Sequence, residues 1–486
     1  MQGYIKGTSN TICSKVLNYD DFVSELDLNK FSSDKNSIPC HCSKYDKKFT
    51  DKDYGHIITG NLNIIKDIKL KNLLAKGPNY REPKQIDFEE AKNNIVTSLN
   101  QFRVKEKITK IQFDKWKSCI MNEVEIKIVN ILAKFTKRKV TSVLTINSVR
   151  KNLQELQDHF VLIPIDKAAN NIALICKQYY ASVIHKELKF SDNTSSNNTY
   201  VKVSEQARLI INKHKKYLKK LGIVMDEDCE KLPNMYWSPK MHKTPIGSRF
   251  IIASKLSSLK SLSQYITSAL KVIFRAISSY YGARQVFTYK KSFWVIQSNK
   301  ELLERLSKIN LKSSAKTIST FDFSTLYTMI PHDKLIEVMK LILEHTFDNG
   351  NRRFICVEST TPGWGGKKSG KFTFNKESLT SSLQYLIENC YFQVGSLVFR
   401  QKIGIPMGSS PAPFLANLFL FHYEKEWIEK TERKLARSFM YTYRYIDDLI
   451  NLNDGNKFEQ IFSQIYPSEL SLKKENIDNS QATFLD

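Results

Sequence analysis

Two acidic strand ends stand out in this chain of 486 residues. One carries Asp322 within an apolar run, and the other is Tyr445–Asp448, which reads Tyr-Ile-Asp-Asp. Nucleotidyl transfer with two divalent metal ions needs carboxylates from separate strands, because the ions sit about 4 Å apart. An apolar strand ending in Asp322 and a hairpin whose turn carries Asp447 and Asp448 would supply them. We therefore predict that these three aspartates are catalytic and bind metal, with the Phe323 carbonyl as a further ligand.

The order of elements around these residues favours the same interpretation. Acidic turns between apolar strands are common, so Tyr445–Asp448 alone would be read as an ordinary turn. However, a small-residue loop, Gly404–Pro413, feeds an apolar helix just upstream. A strand with Asp322, a helix, this loop with its helix and an Asp-Asp hairpin form a βαββ arrangement, an antiparallel sheet backed by helices. That is the palm of template-directed polymerases, an α+β fold.

The charge of the chain indicates a polyanionic partner. Seventy-four Lys and Arg residues against 49 Asp and Glu residues give a net charge of +25. A field of this sign attracts polyanions and speeds their encounter. No apolar run approaches the roughly 20 residues that span a bilayer, and the N-terminus lacks an apolar signal core. We expect an intracellular protein that binds nucleic acid rather than a membrane.

The cysteines indicate a reducing compartment, since eight scattered residues are too few for a disulfide scaffold. The run Cys40-His41-Cys42, with Cys13 and His56 in range, could bind zinc. Its spacing lacks the usual gap of two to four residues, and the sequence shows no second pair close by. Zinc is therefore the minor interpretation, and the function of this cluster is left open.

We predict three regions along the chain. Residues 1–150 form a basic, mainly helical N-terminal extension. Apolar residues recur there with helical periodicity, for example at Ile57, Ile58, Leu62, Ile65, Ile68, Leu70, Leu73 and Leu74. Residues 151–315 form the fingers and residues 316–486 the palm. A β-hairpin is predicted within the fingers, and a basic helix follows it. The hairpin runs over Phe160–Ile165 and Ile172–Ile175 around Asp166–Asn171, and the basic helix carries Lys213, Lys215, Lys216, Lys219 and Lys220.

Several residues could contact the template, the primer and the incoming sugar. Tyr327 lies five residues beyond Asp322. Its ring would stack on a deoxyribose and clash with the 2′-hydroxyl that distinguishes RNA from DNA. Gly404 and Gly408 would let the backbone approach the nascent base pair. The template–primer contacts are predicted at Gly404, Pro406, Met407, Gly408 and Tyr445.

Cations are expected at the triphosphate, although any one of 74 could equally be surface charge. A cation that neutralises a leaving phosphate acts as an electrostatic clamp. Lys474 could protonate the pyrophosphate, and Lys473 would serve equally well. The predicted nucleotide-binding cations are Lys167, Arg249, Lys240, Lys243 and Lys474.

As a set, these residues resemble the reverse transcriptases of Penelope-like retroelements, relatives of the telomerase catalytic subunit. The match extends from about residue 40 to residue 486 in the expected order. The matching runs are Gly55–Gly60, Lys76–Pro83, Asp166-Lys167 with Asn170-Asn171, Tyr236–Lys243, Arg249–Ile251, Phe321–Tyr327, Gly404–Gly408, Arg444–Leu449 and Phe484–Asp486. The resemblance implies an RNA-directed DNA polymerase with right-hand fingers and palm. It also implies two Mg²⁺ ions (or Mn²⁺), an RNA template, a DNA primer, dNTPs and a nuclear location.

The chain departs from the family pattern in three places. Relatives append a thumb and often a nuclease, whereas this sequence stops at Asp486, so we expect the thumb to be absent. Arg249 precedes Phe250 where relatives usually have Pro, and Asn417 stands where many carry an acid. Two alternatives therefore stay open. One is a catalytically inactive remnant that only binds nucleic acid; the other is an RNA-dependent RNA polymerase, against which Tyr327 argues.

Overall fold

The computed structural model describes most of the chain. The described residues are 16–29, 40, 42, 56–58, 65–80, 88–105, 108–134, 142–188, 199–310, 317–349, 352–357, 362–365 and 372–484. Contacts divide them into two compact units. The first draws on Met1–Phe22, Leu28–Lys186 and Trp237–Arg249, and the second on Val23–Asp27, Glu187–Tyr236 and Phe250–Asp486. The division into an extension, fingers and palm stays a prediction.

The helices and strands are numbered here in chain order. The first are α1 (Tyr19–Glu25), β1 (Ile57–Ile58), α2 (Ile68–Ala75), α3 (Phe88–Lys105), α4 (Lys110–Lys134), α5 (Asn147–His159), β2 (Phe160–Ile165), β3 (Ala168–Cys176) and α6 (Lys177–Glu187). Next come β4 (Tyr200–Val203), α7 (Ala207–Leu221), β5 (Met235–Lys240), β6 (Gly247–Ile252), α8 (Lys260–Thr288), α9 (Asn299–Asn310), β7 (Ile318–Phe323), α10 (Leu326–Met329) and α11 (His332–Asp348). The last are β8 (Phe354–Cys356), β9 (Gly363–Gly365), β10 (Thr373–Phe374), α12 (Lys376–Glu388), β11 (Tyr391–Val394), β12 (Leu397–Gln401), α13 (Ala412–Lys430), α14 (Arg433–Ala436), β13 (Thr442–Tyr445), β14 (Asp448–Leu452), α15 (Lys457–Ile465) and β15 (Leu472–Lys474).

In the first unit, an antiparallel sheet of order β1-β3-β2 packs against α2 and α5. The predicted hairpin is confirmed, but its turn is only Asp166-Lys167 because β3 already begins at Ala168. The helical periodicity predicted from Ile57 and Ile58 is wrong there. Both residues form β1 and pair with the end of β3. Short apolar runs suit a strand or a helix equally well, and here the pairing partner decides between them.

In the second unit, a four-stranded antiparallel sheet has the order β13-β14-β7-β15. One face packs against helices, where Phe321 and Leu449 meet Phe458 of α15 in the main core. Helix α13 contributes buried residues from almost all sides, as expected of a helix enclosed by a core. The other face is covered at its far end by α9, where Ile450 and Leu452 pack.

The remaining sheets of the described residues are also small and antiparallel. Their orders are β11-β12-β4, β10-β8-β9 and β5-β6. The fold is therefore mixed α+β, as expected from the sequence, and the predicted basic helix is α7. Among the helices that the structure describes, none combines the length and the apolar character needed to cross a bilayer.

Candidate active site

One row of side chains crosses the four-stranded sheet at its acidic end. Tyr445 of β13 stands opposite Asp448 of β14, which in turn stands opposite Asp322 of β7. On the other side of β7, Lys473 of β15 stands opposite Asp322. Directly opposed residues of antiparallel strands point to one face, with Cβ atoms about 4.5–5.5 Å apart. The structure thus brings Asp322 and Asp448 together from distant parts of the sequence. We call Tyr445, Asp448, Asp322 and Lys473 the acidic row.

Asp447 lies beside this row, in the two-residue turn that it forms with Ile446 between β13 and β14. Its carbonyl accepts a hydrogen bond of 3.1 Å from the N–H of Phe323, which fixes the turn against the end of β7. Ile446 has a φ of +55°, in the left-handed region that strains a β-branched residue. Glycine usually takes the first position of such a turn. The surrounding contacts must therefore hold the turn in this shape.

A buried arginine supplies such a contact. Arg444 is fully buried, and its Nη1 donates a hydrogen bond of 2.9 Å to the carbonyl of Ile446. Nη1 also donates to the side chain of Asn417 at 2.7 Å, and Nη2 donates to the Asn417 carbonyl at 3.1 Å. Glu424, equally buried, accepts from Nε at 2.5 Å and from Nη2 at 3.2 Å. All five N–H donors of the guanidinium are paired.

Arg444 and Glu424 are not among the functional residues predicted from the sequence, and Asn417 is noted there only as a departure from the family pattern. Glu424 also accepts a hydrogen bond of 3.0 Å from the hydroxyl of Tyr466. Burial, reinforced by the charge of Glu424, raises the pKa of Tyr466 well above its ordinary range, so the hydroxyl keeps its proton. The sequence does hold a signal. A glutamate inside an apolar helix and an arginine inside an apolar strand call for partners, since buried charges are almost always paired.

Tyr327 lies on α10, the single helical turn after β7, and its ring is half buried against the main core. The Tyr327 carbonyl accepts a hydrogen bond of 2.7 Å from the N–H of Ile405. Gly404 has a φ of +90°, and a Cβ there would lie 2.5 Å from the same carbonyl oxygen. The approach of two segments of this chain is therefore sufficient to require glycine at this position, and the approach to a base pair stays a prediction.

The same reasoning applies to Gly408, whose φ is +104°. A Cβ there would lie 2.7 Å from the carbonyl oxygen of Ile252. The neighbouring Met407 carbonyl accepts a hydrogen bond of 2.9 Å from the N–H of Ile252. The loop is thus fastened to the end of β6 on one side and to α10 on the other. Its contact with template and primer stays a prediction.

The sheet register separates the two lysines considered for pyrophosphate. Lys474 stands opposite Phe321, so its side chain leaves the sheet on the helix-covered face. There its Nζ forms an ion pair of 2.9 Å with Glu459 of α15. Lys473 is exposed and stands opposite Asp322, in the acidic row. The structure therefore places Lys473, and not Lys474, next to the carboxylates.

Four other predicted cations lie in the first unit, at the tips of the hairpins β2–β3 and β5–β6. Lys167 is exposed in the first tip, and Arg249 forms an ion pair of 2.6 Å with Asp166 beside it. Desolvation lowers the pKa of His242 in the second tip, and nearby lysines lower it further by their charge. These cations share one positive region that Asp166 partly neutralises. Their role in nucleotide binding stays a prediction. The four are Lys167, Lys240, Lys243 and Arg249.

The donors gathered at the acidic row are oxygens. Asp322 and Asp448 contribute carboxylates from neighbouring strands, and Asp447 lies in the turn next to them. Mg²⁺ and Mn²⁺ prefer carboxylate, carbonyl and water oxygen over nitrogen or sulfur. This donor set therefore fits the cofactor that the sequence predicts. All three side chains are partly exposed, so a ligand can reach them from solvent.

The fold and the site together define a mixed α+β protein whose antiparallel sheet carries a candidate cation site. No protein-family model matches the chain, and no curated protein matches it. It is similar to a structure of telomerase from Candida albicans with a TWJ fragment of telomeric RNA, at 11% identity and a TM-score of 0.43. That match covers 70% of this chain but only 55% of the telomerase chain, so this chain spans about half the length of that protein.

Two telomerase structures from Candida tropicalis are also similar. One is the apo enzyme truncated from its C-terminal domain, at 11% identity and a TM-score of 0.46, covering 94% of this chain and 82% of that one. The other is in complex with a TWJ fragment of telomeric RNA, at 13% identity and a TM-score of 0.46, covering 86% of this chain and 59% of that one. Likenesses of this extent carry no conclusion about activity.

Proposed function

We propose that this protein is an RNA-directed DNA polymerase of the kind found in Penelope-like retroelements, with its four-stranded sheet as the palm. The observation that carries the proposal is the register that sets Asp322 beside Asp448, with Asp447 in the adjoining turn. Like charges directly opposite each other destabilise a sheet. A bound cation would offset the repulsion between these two carboxylates. An ordinary acidic turn has no such pair and needs no cation.

The proposed mechanism assigns a distinct task to each part of the site. Asp322, Asp447 and Asp448 would hold two Mg²⁺ ions, which when bound lower the pKa of a primer 3′-hydroxyl and neutralise the triphosphate. Arg444 donates a hydrogen bond to the carbonyl of Ile446, and this contact would hold the turn so that Asp447 stays close to Asp448 and Asp322. Positioning of this kind supplies most of the rate enhancement in phosphoryl transfer.

The substrate follows from the residues around the row. The half-buried ring of Tyr327 would lie beneath the sugar of the incoming nucleotide and exclude a 2′-hydroxyl, which favours dNTPs over ribonucleotides. Lys473 would donate a proton to the leaving pyrophosphate, because it is the lysine that shares the face of Asp322. The net charge of +25 supports binding of an RNA template and a DNA primer.

The proposal is tested by primer extension on an RNA template with dNTPs and Mg²⁺, and in parallel with Mn²⁺. Asp447→Asn removes one negative charge but keeps the side-chain size and the backbone bond to Phe323. We expect incorporation to fall by about 100-fold or more, as for other groups that stabilise charge in a transition state. Binding of the template–primer duplex, measured by fluorescence anisotropy, should not weaken.

A matched control is Asp333→Asn, which neutralises an exposed aspartate in the first turn of α11. It should leave incorporation unchanged. Equal incorporation by Asp447→Asn and the parent would refute the assignment of Asp447 as a catalytic residue. A parent that binds the duplex with strong salt dependence but incorporates nothing, even with Mn²⁺, would instead support the alternative of a protein that only binds nucleic acid.

A further inference from the structure

Four side chains from distant parts of the sequence meet in the first unit, and none of them is among the residues proposed for catalysis. They are Cys40, Cys42, His56 and Cys176. One ligand atom from each, the three Sγ atoms and a ring nitrogen, all lie within 4.8 Å of one another. None of the three cysteines is in a disulfide. Three sulfurs and one imidazole nitrogen are the donor set of a common structural zinc site.

The distances match those between ligands that share one ion. His56 Nδ1 lies 3.7 Å from the Sγ of Cys40 and 3.5 Å from the Sγ of Cys42. Tetrahedral zinc binds sulfur at about 2.3 Å and nitrogen at about 2.0–2.1 Å, which separates a nitrogen from a sulfur by about 3.6 Å. A single ring nitrogen that faces two thiols at this separation is arranged as one corner of such a tetrahedron.

The backbone fixes two of the ligands relative to each other. Strand β1 pairs with the end of β3, so that Ile57 stands opposite Ile175. The N–H of Cys176 donates a hydrogen bond of 2.9 Å to the carbonyl of His56. The His56 ring also stacks on Tyr179, with centroids 5.3 Å apart and planes 13° apart, which orients the imidazole. Groups around a metal-binding histidine orient its ring, and this stacking contributes to that orientation.

Burial shows which kind of zinc site this would be. Cys42 and Cys176 are only 6% and 1% exposed and belong to the core of the first unit. Cys40 is exposed at the rim. Four protein ligands complete a tetrahedron and leave no position for water, which distinguishes a structural site from a catalytic one. A disulfide is a poorer solution for this cluster, because three thiols cannot all pair.

We propose that Cys40, Cys42, His56 and Cys176 bind one structural Zn²⁺ ion. The ion links Cys40, Cys42 and the start of β1 to the end of β3, and so completes the core around α2 and α5. Three of these ligands stand out in the sequence, but Cys176 is too far along the chain to be recognised as the fourth. The site is independent of the proposed polymerase activity, since it shares no residue with the acidic row and its test measures bound metal.

The test measures metal directly in the full-length protein. The protein is purified in the presence of zinc, dialysed against a mild chelator and assayed by plasma mass spectrometry. We expect about one zinc per chain. In Cys40→Ser, which alters the exposed ligand and so should fold, the zinc should be lost on dialysis. Cys40→His restores a ligand and should keep it. The control Cys119→Ser, at an exposed free cysteine of α4, should match the parent.

Cobalt substitution gives a second readout that does not depend on folding yield. The parent loaded with Co²⁺ should show a thiolate charge-transfer band in the near ultraviolet and the strong visible absorption of a tetrahedral ion. Both should weaken in Cys40→Ser and persist in Cys119→Ser. The proposal is overturned if Cys40→Ser holds as much zinc as the parent after dialysis. It is also overturned if alkylation and mass spectrometry find a disulfide among the three cysteines of freshly purified protein.

Discussion

Replacing Arg444 by methionine tests how the acidic turn is held. The change keeps much of the side-chain volume and removes all five hydrogen-bond donors. Among the described residues, Glu424 then keeps only the Tyr466 hydroxyl as a hydrogen-bond partner, although it remains fully buried. Removing one member of a buried ion pair costs about 3–5 kcal/mol, because the remaining charge is left without compensation. The carbonyl of Ile446 loses its contact with Arg444 at the same time.

The double variant Arg444→Met/Glu424→Leu separates the cost of the orphaned charge from the value of the pair itself. Replacing a buried ion pair by apolar residues of similar size is often neutral or stabilising. We expect the double variant to recover about 2 kcal/mol or more of the stability that Arg444→Met loses. It should nevertheless remain inactive. Neither variant can hold the carbonyl of Ile446, and a displacement of about 1 Å in an active site can cost about 100-fold in rate.

Stability is measured by urea unfolding, followed through tryptophan fluorescence. Trp294 is a suitable reporter, because it is fully buried and its carbonyl accepts a hydrogen bond of 2.9 Å from the N–H of Arg444. Activity is measured as single-nucleotide incorporation at varied dNTP concentration. A positioning role predicts a large fall in kcat with little change in KM. The control Arg437→Met, at an exposed arginine, should change the free energy of unfolding by less than about 0.5 kcal/mol.

Two results would refute this reasoning. If Arg444→Met lowers the free energy of unfolding by less than about 1 kcal/mol, the guanidinium is not the buried partner that Glu424 needs. If the double variant incorporates nucleotide at the rate of the parent, the bond to Ile446 does not position the turn. The first result tests whether Arg444 compensates the charge of Glu424 in the core, and the second tests whether Arg444 positions the turn. Either hypothesis can be refuted without the other.

Two further substitutions test the sugar selectivity and the pH dependence of stability. Tyr327→Ala should raise the use of ribonucleotides relative to dNTPs by about 10–100-fold in single-nucleotide incorporation, since the ring no longer meets the 2′-hydroxyl; a parent already indifferent to the sugar would contradict this. Burial lowers the pKa of His214 to about 4, from an ordinary value of about 6.5. The unfolded chain therefore binds a proton that the folded protein does not, and stability falls by about 3 kcal/mol as the pH drops from about 6.5 to about 4. In His214→Asn, urea unfolding across this range should show a shallower fall, and an unchanged slope would exclude the contribution of His214.

The position of the acidic residues could be predicted from the sequence because the signal is local. An apolar run around Asp322 and a Tyr-Ile-Asp-Asp tetrad each specify a strand end, and two-residue turns leave little freedom in register. The hairpin β2–β3 was predictable from its two apolar runs, although its turn is shorter than predicted. In contrast, Ile57 and Ile58 could not be assigned to a strand, because their partner lies more than a hundred residues further along the chain.

The chemistry of single side chains was harder to assign from sequence, since it depends on which face each residue occupies. Lys473 and Lys474 are adjacent and equally basic, so composition does not distinguish them. Only the pairing of β15 with β7 shows that Lys473 shares the face of Asp322, whereas Lys474 faces the helices and Glu459. A shift of one residue in a strand exchanges the two faces.

The same alternation explains why the roles of Arg444 and Glu424 were not predicted from the sequence. Along β13 and β14, the residues of the acidic row face away from α13 and α15, while Arg444, one position before Tyr445, faces α13 and meets Glu424. The charges proposed to do chemistry and the charges that hold them thus lie on opposite faces of one sheet, joined through the backbone of Ile446. A substitution on the helix face can therefore disable the site without touching a single predicted ligand. Any screen of this protein for loss of activity should recover α13 and the acidic turn together.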